Sequence, residues 1–355
     1  MRGGRWRLAM GAGAALVLAT TGCGPLAHVV DEGTTPKKQP FTIAFGGDVH
    51  FEGQIRTRLD ADPASVFGPI KATLSSADLA MVNLETAVTT GGTPAAKQFT
   101  FRAPPTAFTA LKAAGVDVAT MANNHGMDYG ETGLRDSLAA AGKAGFPVVG
   151  IGANAAEAFR PLMTTVKGNK VAIIGATQVL DDNLIAAWTS TDAKAGLASA
   201  KDVPRLVRAV QAARRTADVV IVDLHWGREL SGCPTGTQTQ LAGQLADAGA
   251  DAIIGSHAHV LLGGGYLKSA YVHYGLGNFV FYNSSGQTAQ SGVLTLTFSA
   301  GQVTKSHWTP ALIQDGRPQP LTGTPDEQPA RARWEALRGC TGLKATPPAG
   351  TSAPA

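Results

Sequence analysis

The sequence predicts an α/β fold built on largely parallel strands, and two observations carry that prediction. Short apolar runs rich in Val, Ile and Ala alternate with Ala-rich stretches of helical length, the order of strand–helix–strand units. Five of these runs end in polar clusters, and ligands of open α/β sheets bind just beyond the carboxyl ends of the strands. Each run is continuously hydrophobic, as a strand buried on both faces reads. FTIAFGGDVH ends in Asp48 and His50, ADLAMVNLE in Asn83 and Glu85, and VDVATMANNH in Asn123, Asn124 and His125. ADVVIVDLHWG ends in His225, and ADAIIGSHAH in His257 and His259. Five clusters at five such ends converge on one site.

The remaining elements follow in order. Four strands are entered by one device, a helix end followed by Ala-Asp or Val-Asp: LSSAD, KAAGVD, ARRTAD and ADAGAD. Gly115 and Gly249 are placed as helix C-cap glycines. Helices are predicted over roughly 131–144, 202–215 and 237–248, and further strands at VAIIGAT (171–177), YVHYGLGNFVF (271–281) and VLTLTFS (293–299). The last alternates as an antiparallel strand does. Together, 41–312 reads as one compact domain. DGRPQPLTGTPDEQPA then reads as a loop leading to a short helix, ARARWEALRGC, docked through Trp334, so that 313–340 forms a C-terminal appendage. Residues 341–355, rich in Pro, Ala and Thr, read as a disordered tail.

The first 22 residues read as an export signal: Arg2, Arg5 and Arg7 precede an apolar stretch from Leu8 to Leu18, too short for a bilayer anchor. Thr20-Thr21-Gly22-Cys23 resembles a bacterial lipobox, which makes Cys23 a lipidation site; the alternative is an ordinary signal peptide cut nearby. Residues 23–40 are polar and contain Pro, as a tether does. The chain's +4 charge overstates its basicity. Without residues 1–22, which carry three arginines and no acid, 27 basic residues face 26 acidic ones. That balance gives no electrostatic case for nucleic acid as a partner. Cys233 and Cys340 either pair in the exported protein or remain free thiols.

The clusters offer carboxylates from Asp48 and Glu85, an amide oxygen from Asn124, and imidazoles from His50, His225, His257 and His259. Mixed imidazole and carboxylate donors suit Zn, Mn or Fe(II) better than Ca or Mg. Seven donors are too many for one ion and suit two ions sharing a carboxylate. Arg102 and Arg228 are candidates for binding an anionic substrate, or surface ion pairs. Glu229 is a candidate for orienting a ligand histidine. Asp128 and Gly130 read as shaping the turn and helix start after His125. His273 reads as a satisfied core residue, and His28 and His307 as surface residues. Trp226 reads equally well as packing or contact.

GGDVH, NLE, NNH, HWG and GSHAH, in this order, resemble the CapA family of capsule and poly-γ-glutamate synthesis, itself similar to the calcineurin-like metallophosphoesterases. The resemblance covers roughly 42–281, including AFRP (158–161) and YGLGNFVF. It implies a four-layer α/β/β/α sandwich with two mixed β-sheets. It implies that Asp48, His50, Glu85 and His259 hold one divalent ion and that Glu85, Asn124, His225 and His257 hold the other. Activated water would then be the nucleophile, and His125 would donate a proton or stabilise the transition state. The superfamily's bridging aspartate lies in a Gly-Asp-x-x-Asp turn, whereas this chain has Asn-Leu-Glu, leaving open whether Asn83 or Glu85 reaches metal. The superfamily glycine before Asn-His is Asn123, whose side chain can satisfy a turn.

These features together predict an exported protein, lipid-anchored on the outer face of the cytoplasmic membrane or secreted. Its predicted function is as a dinuclear-metal hydrolase acting on a phosphoester or an envelope polymer. The alternative is a non-catalytic accessory protein that binds, tethers or helps export an acidic capsular polymer.

Overall fold

The computed structural model describes residues 37–282 and 284–348. The signal segment, Cys23, His28 and most of the predicted tether lie outside them. Six parallel strands form the centre: β1 (Phe41–Val49), β2 (Leu79–Leu84), β3 (Val118–Thr120), β4 (Asn169–Thr177), β5 (Val219–His225) and β6 (Ala252–Ser256). β1, β2 and β3 are neighbours in an eight-stranded sheet, and β4, β5 and β6 in a six-stranded one. Both sheets are mixed. Gln290–Ser299 runs antiparallel to β1, as its alternation predicts, and Leu162–Val166 runs antiparallel to β4.

Side-chain parity sorts the layers, because successive residues of a strand face opposite sides. Ile43 and Phe45 of the first sheet meet Ile173, Ile221 and Ile254 of the second in one core between the sheets. Ala44 and Val82 face outward onto Phe108, Leu111 and Leu134 of the helices Thr106–Ala113 and Gly130–Ala144. Ile174, Val220 and Val222 face outward onto Leu206, Val210, Leu241 and Leu245 of Val203–Arg214 and Gly236–Ala248. The order is helix, sheet, sheet, helix.

The repeated Ala-Asp device has a structural reason. Asp78, Asp117, Asp218 and Asp251 each accept a backbone N–H from the start of the neighbouring strand, from Thr42, Ala80, Lys170 and Val220, at 2.7–2.9 Å. Each also donates its own N–H to the carbonyl of that same residue, at 2.8–3.1 Å. Four two-bond clamps thus fix the register where the strands begin. At the other end, β1 bulges at Asp48–Val49, and a Cβ on Gly47 would lie 1.9 Å from the Gly277 carbonyl oxygen. That close approach admits only glycine.

Three expectations change. YVHYGLGNFVF is two strands: Ala270–His273 joins the second sheet and Asn278–Val280 pairs with β1 in the first, with Gly277 at φ 64° between them. The domain does not stop at 312, since Gln302–Gln314 continues into a hairpin with Arg317–Pro320. Prolines disguised that strand, which sits at the sheet edge, where Pro is tolerated. The start of the predicted tail is docked: Leu343 is buried and Lys344 exchanges two backbone hydrogen bonds with Tyr266. The helix Glu327–Ala336 docks as predicted, with Trp334 stacked on Trp308 at 5.3 Å and donating to His273 at 3.1 Å. Cys233 and Cys340 form a disulfide.

Candidate metal centre

All five strand ends meet. The strand ends of β1 and β2 bring Asp48, Asn83 and Glu85 together, β5 ends in His225, and the turn after β6 carries His257 and His259. Their donor atoms fall into groups spanning less than 4.8 Å: Asp48, Glu85 and His259 in one, Glu85, His225 and His257 in another. Glu85 belongs to both. Asn83 stands behind them, its amide nitrogen donating to Asp48 Oδ1 at 2.8 Å and to His225 Nδ1 at 3.1 Å. Asn83 therefore holds Asp48 and His225 in place, and Glu85 is the acid common to both donor groups. Asn123 holds Asn83 in turn, donating to its Oδ1 at 2.9 Å, and accepts the His125 N–H at 3.0 Å, the turn role foreseen for it. Asn124 Oδ1 lies 2.7 Å from His225 Nε2, at the second group.

The site passes a test of fit to divalent ions on its own chemistry. Both Glu85 carboxylate oxygens and His257 Nδ1 are buried without a hydrogen-bond partner among the described residues. Buried polar atoms are otherwise nearly always paired. Burial, and then the Asp48 charge, push Glu85 well above the usual carboxylate range. Burial, and then His259, push His257 down to about 3. Burial likewise keeps His225 neutral. For His259, burial opposes the charge, but contact with Asp48 and the Glu85 charge override it and push its pKa up to about 10. In the metal-free chain a proton on His259 offsets part of the acid pair. The two ligand-bearing histidines of the turn also have left-handed backbones, φ 90° at His257 and 57° at His259. Non-glycine residues held there cost on the order of 1–3 kcal/mol each and cluster at functional sites.

His50 stands apart from these groups. Its Nδ1 and Nε2 face the backbone N–H groups of Glu52 and Tyr282 at 3.1 and 3.2 Å, and its ring stacks on Phe101. A cavity of about 350 Å³ opens over the site, lined by His125, Asn124, His259, Lys97, Phe101 and Glu229 among others. His125 Nε2 lies 3.9 Å from Glu85 Oε1, and its Nδ1 meets Asp128 Oδ2 at 2.6 Å. Asp128 is thus more than a turn residue. It fixes the ring, a role signalled in the sequence only by His-x-x-Asp spacing. Burial lowers the His125 pKa against the opposing pull of Asp128.

The arginines are not in the cavity wall. Arg102 is exposed and lies over Tyr129, 4.8 Å from the ring centre, and Arg228 is exposed on the loop after β5. The cation of the wall is Lys97, which sequence reading missed because its segment has no periodicity. Its ammonium meets Asp128 at 3.1 Å, Asp181 at 3.4 Å and the Asn124 carbonyl. Trp226 packs, fully buried, donating to the Tyr274 carbonyl at 3.0 Å. His273 is buried in the core, accepting from Trp334 at Nε2 but with Nδ1 unpaired among the described residues, and His307 is exposed, as expected.

The family model described as "Bacterial capsule synthesis protein PGA_cap" matches residues 42–283, which include every ligand candidate above. This chain belongs to that family. It is 34% identical over 221 residues to the "Capsule biosynthesis protein CapA" of Bacillus anthracis, covering 61% of this chain and 53% of that protein. It is 28% identical over 306 residues to the "PGA biosynthesis protein CapA" of Bacillus subtilis, covering 81% and 77%. The chain thus spans about half the length of the first relative and about three quarters of the second. Among solved structures, a phosphatase from Mycoplasma pneumoniae aligns at 16% identity and a TM-score of 0.46, covering 79% of this chain and 96% of that one. Family membership makes this a capsule-synthesis-type protein of two mixed sheets. No helix among the described residues is long and apolar enough to cross a membrane.

Proposed function

We propose that this protein is a dinuclear-metal hydrolase of the bacterial envelope, acting on a phosphoester or on an envelope polymer such as poly-γ-glutamate. One observation carries the reading: Glu85 is wholly buried, both its oxygens lack hydrogen-bond partners, and it is shared by two donor groups. Asp48, Glu85 and His259 would hold one ion, and Glu85, His225, His257 and Asn124 the other, as Mn, Fe or Zn. When bound, such ions polarise the scissile group and lower the pKa of water. His125, held at Nδ1 by Asp128, lines the cavity; in its protonated form, which the Asp128 carboxylate favours, it would give the Nε2 proton to the leaving group and be left neutral. Phe101, stacked on both His50 and His125, keeps one wall apolar.

Charge argues that metal and anionic substrate go together. Asp48 and Glu85 lie buried behind the cavity-lining His259, and Asp181 and Glu229 line the wall, whereas Lys97 is already paired with acids. A polyanion therefore binds only with the ions in place. Asp48→Asn or His257→Ala should remove metal and turnover together, measured on phosphoesters and on poly-γ-glutamate. Turnover surviving both changes contradicts the proposal. The accessory reading, with binding but no turnover, rests on Arg102 and Arg228; polymer binding that persists after chelation would favour it. Cys23 is proposed as the lipid attachment point, tested by fatty-acid labelling that Cys23→Ala should abolish.

A further inference from the structure

A third donor group shares the turn histidines with Glu85's two. Glu229, His257 and His259 bring ligand atoms within 4.8 Å of one another. Each of these histidines also belongs to one of the two groups that share Glu85. Glu85 is wholly buried, whereas Glu229 is exposed and lines the cavity. The turn histidines thus lie within reach of two carboxylates, one wholly buried and one exposed at the cavity. We propose that Glu229 is a metal ligand, closing from the solvent side the ion position that His257 shares with Glu85 and His225. This rests on the dinuclear reading above.

Two independent observations support it. His257, 5% exposed, has Nδ1 buried without a hydrogen-bond partner among the described residues. The loop carrying Glu229 is also built onto the histidine turn. The Leu230 N–H donates at 2.9 Å to the carbonyl of Ala258, the residue between the two histidines, and Trp226 N–H to Ser256 at 3.3 Å. The loop is tightly folded. Gly227 has φ 95°, and a Cβ there would come within 2.7–2.8 Å of the buried Gln238 side chain. Leu230 has φ 57°, and Cys233 is bonded to Cys340. The Leu230 conformation is strained and persists only where the surroundings enforce it. Here they hold the backbone that carries Glu229 against the histidine turn. A carboxylate on the open face is also the group that an anionic substrate would displace.

The test is Mn²⁺ titration of the full chain against a competing chelator, comparing wild type, Glu229→Gln and Asp181→Asn. Asp181→Asn removes a carboxylate from the same wall that belongs to none of the donor groups. The inference predicts that Glu229→Gln raises the Kd of one ion about 10–100-fold, leaving the other within about twofold. Asp181→Asn should shift neither by more than about twofold. Two ions with wild-type Kd in Glu229→Gln, or an equal loss in Asp181→Asn, overturns the inference while leaving the dinuclear centre standing. A wild-type chain that takes up no metal overturns both.

Discussion

The two ends of the same strands use acidic residues in opposite ways. Where the strands begin, Asp78, Asp117, Asp218 and Asp251 each exchange a pair of hydrogen bonds with the neighbouring strand. Asp78 and Asp218 also pair with Lys167 and Lys38. Where the strands end, Asp48 and Glu85 lie at the base of the site, and Glu85 has no hydrogen-bond partner for either oxygen among the described residues. Acids at the first end set the register and are exposed or half-buried with their oxygens paired. Glu85 at the second end differs in both respects, being wholly buried and unpaired among the described residues.

The comparison breaks most visibly at catalysis. His125→Ala should lower kcat about 10²–10⁴-fold while metal content stays at the wild-type level, read by steady-state kinetics and elemental analysis. Asp128→Asn should cost about 10–100-fold, since it releases a ring it does not replace. Loss of metal in His125→Ala would move that residue into the ligand set.

Stability should run in opposite directions at the two ends. Asp117→Ala leaves the Ala80 N–H unpaired and should cost about 1–3 kcal/mol in urea melts, with metal affinity unchanged. Glu85→Gln, in metal-free protein, removes a buried unpartnered acid and should stabilise the fold, as strained functional sites do when function is removed. A destabilised metal-free Glu85→Gln would mean that the glutamate is structural.

The pH dependence sharpens the contrast further. In metal-free protein, His259 has a folded pKa of about 10 against 6.5 unfolded, so its contribution is complete below 6.5 and is lost as pH rises towards 10. At the strand starts, burial alone would raise Asp78 and Asp218, but their lysine and backbone bonds hold both below 3.8. Their contribution is complete above 3.8 and is lost as pH falls through their lowered folded values. Thermal melts of chelator-treated protein should therefore fall on the alkaline side, and His259→Gln should flatten that limb without changing the acid limb.

The fold was legible because strand-end chemistry and Ala-Asp entries are local signals. The convergence of Asp48, Glu85, Asn124, His125, His225, His257 and His259 on one candidate site was legible for the same reason, since all sit at the ends of readable strands. What escaped lies in segments without periodicity. Lys97 reaches the cavity from a loop, Glu229 reads from sequence only as orienting a ligand histidine, and Asp128 sits in a turn where a capping role is the simpler reading. His50 shows the limit of spacing: two residues from Asp48, it faces an aromatic wall because β1 bulges between them and Phe101 stacks on the ring. The edge strand at Arg317–Pro320 was hidden because Pro outweighs pattern until the edge position is known.

The most direct test of the central claim is metal content per chain, by elemental analysis of protein purified without a histidine tag or chelator, in wild type and Glu85→Ala. A shared bridging glutamate predicts two ions of Mn, Fe or Zn in the wild type and one or none in the variant. No metal after reconstitution, or two ions retained in Glu85→Ala, would contradict it.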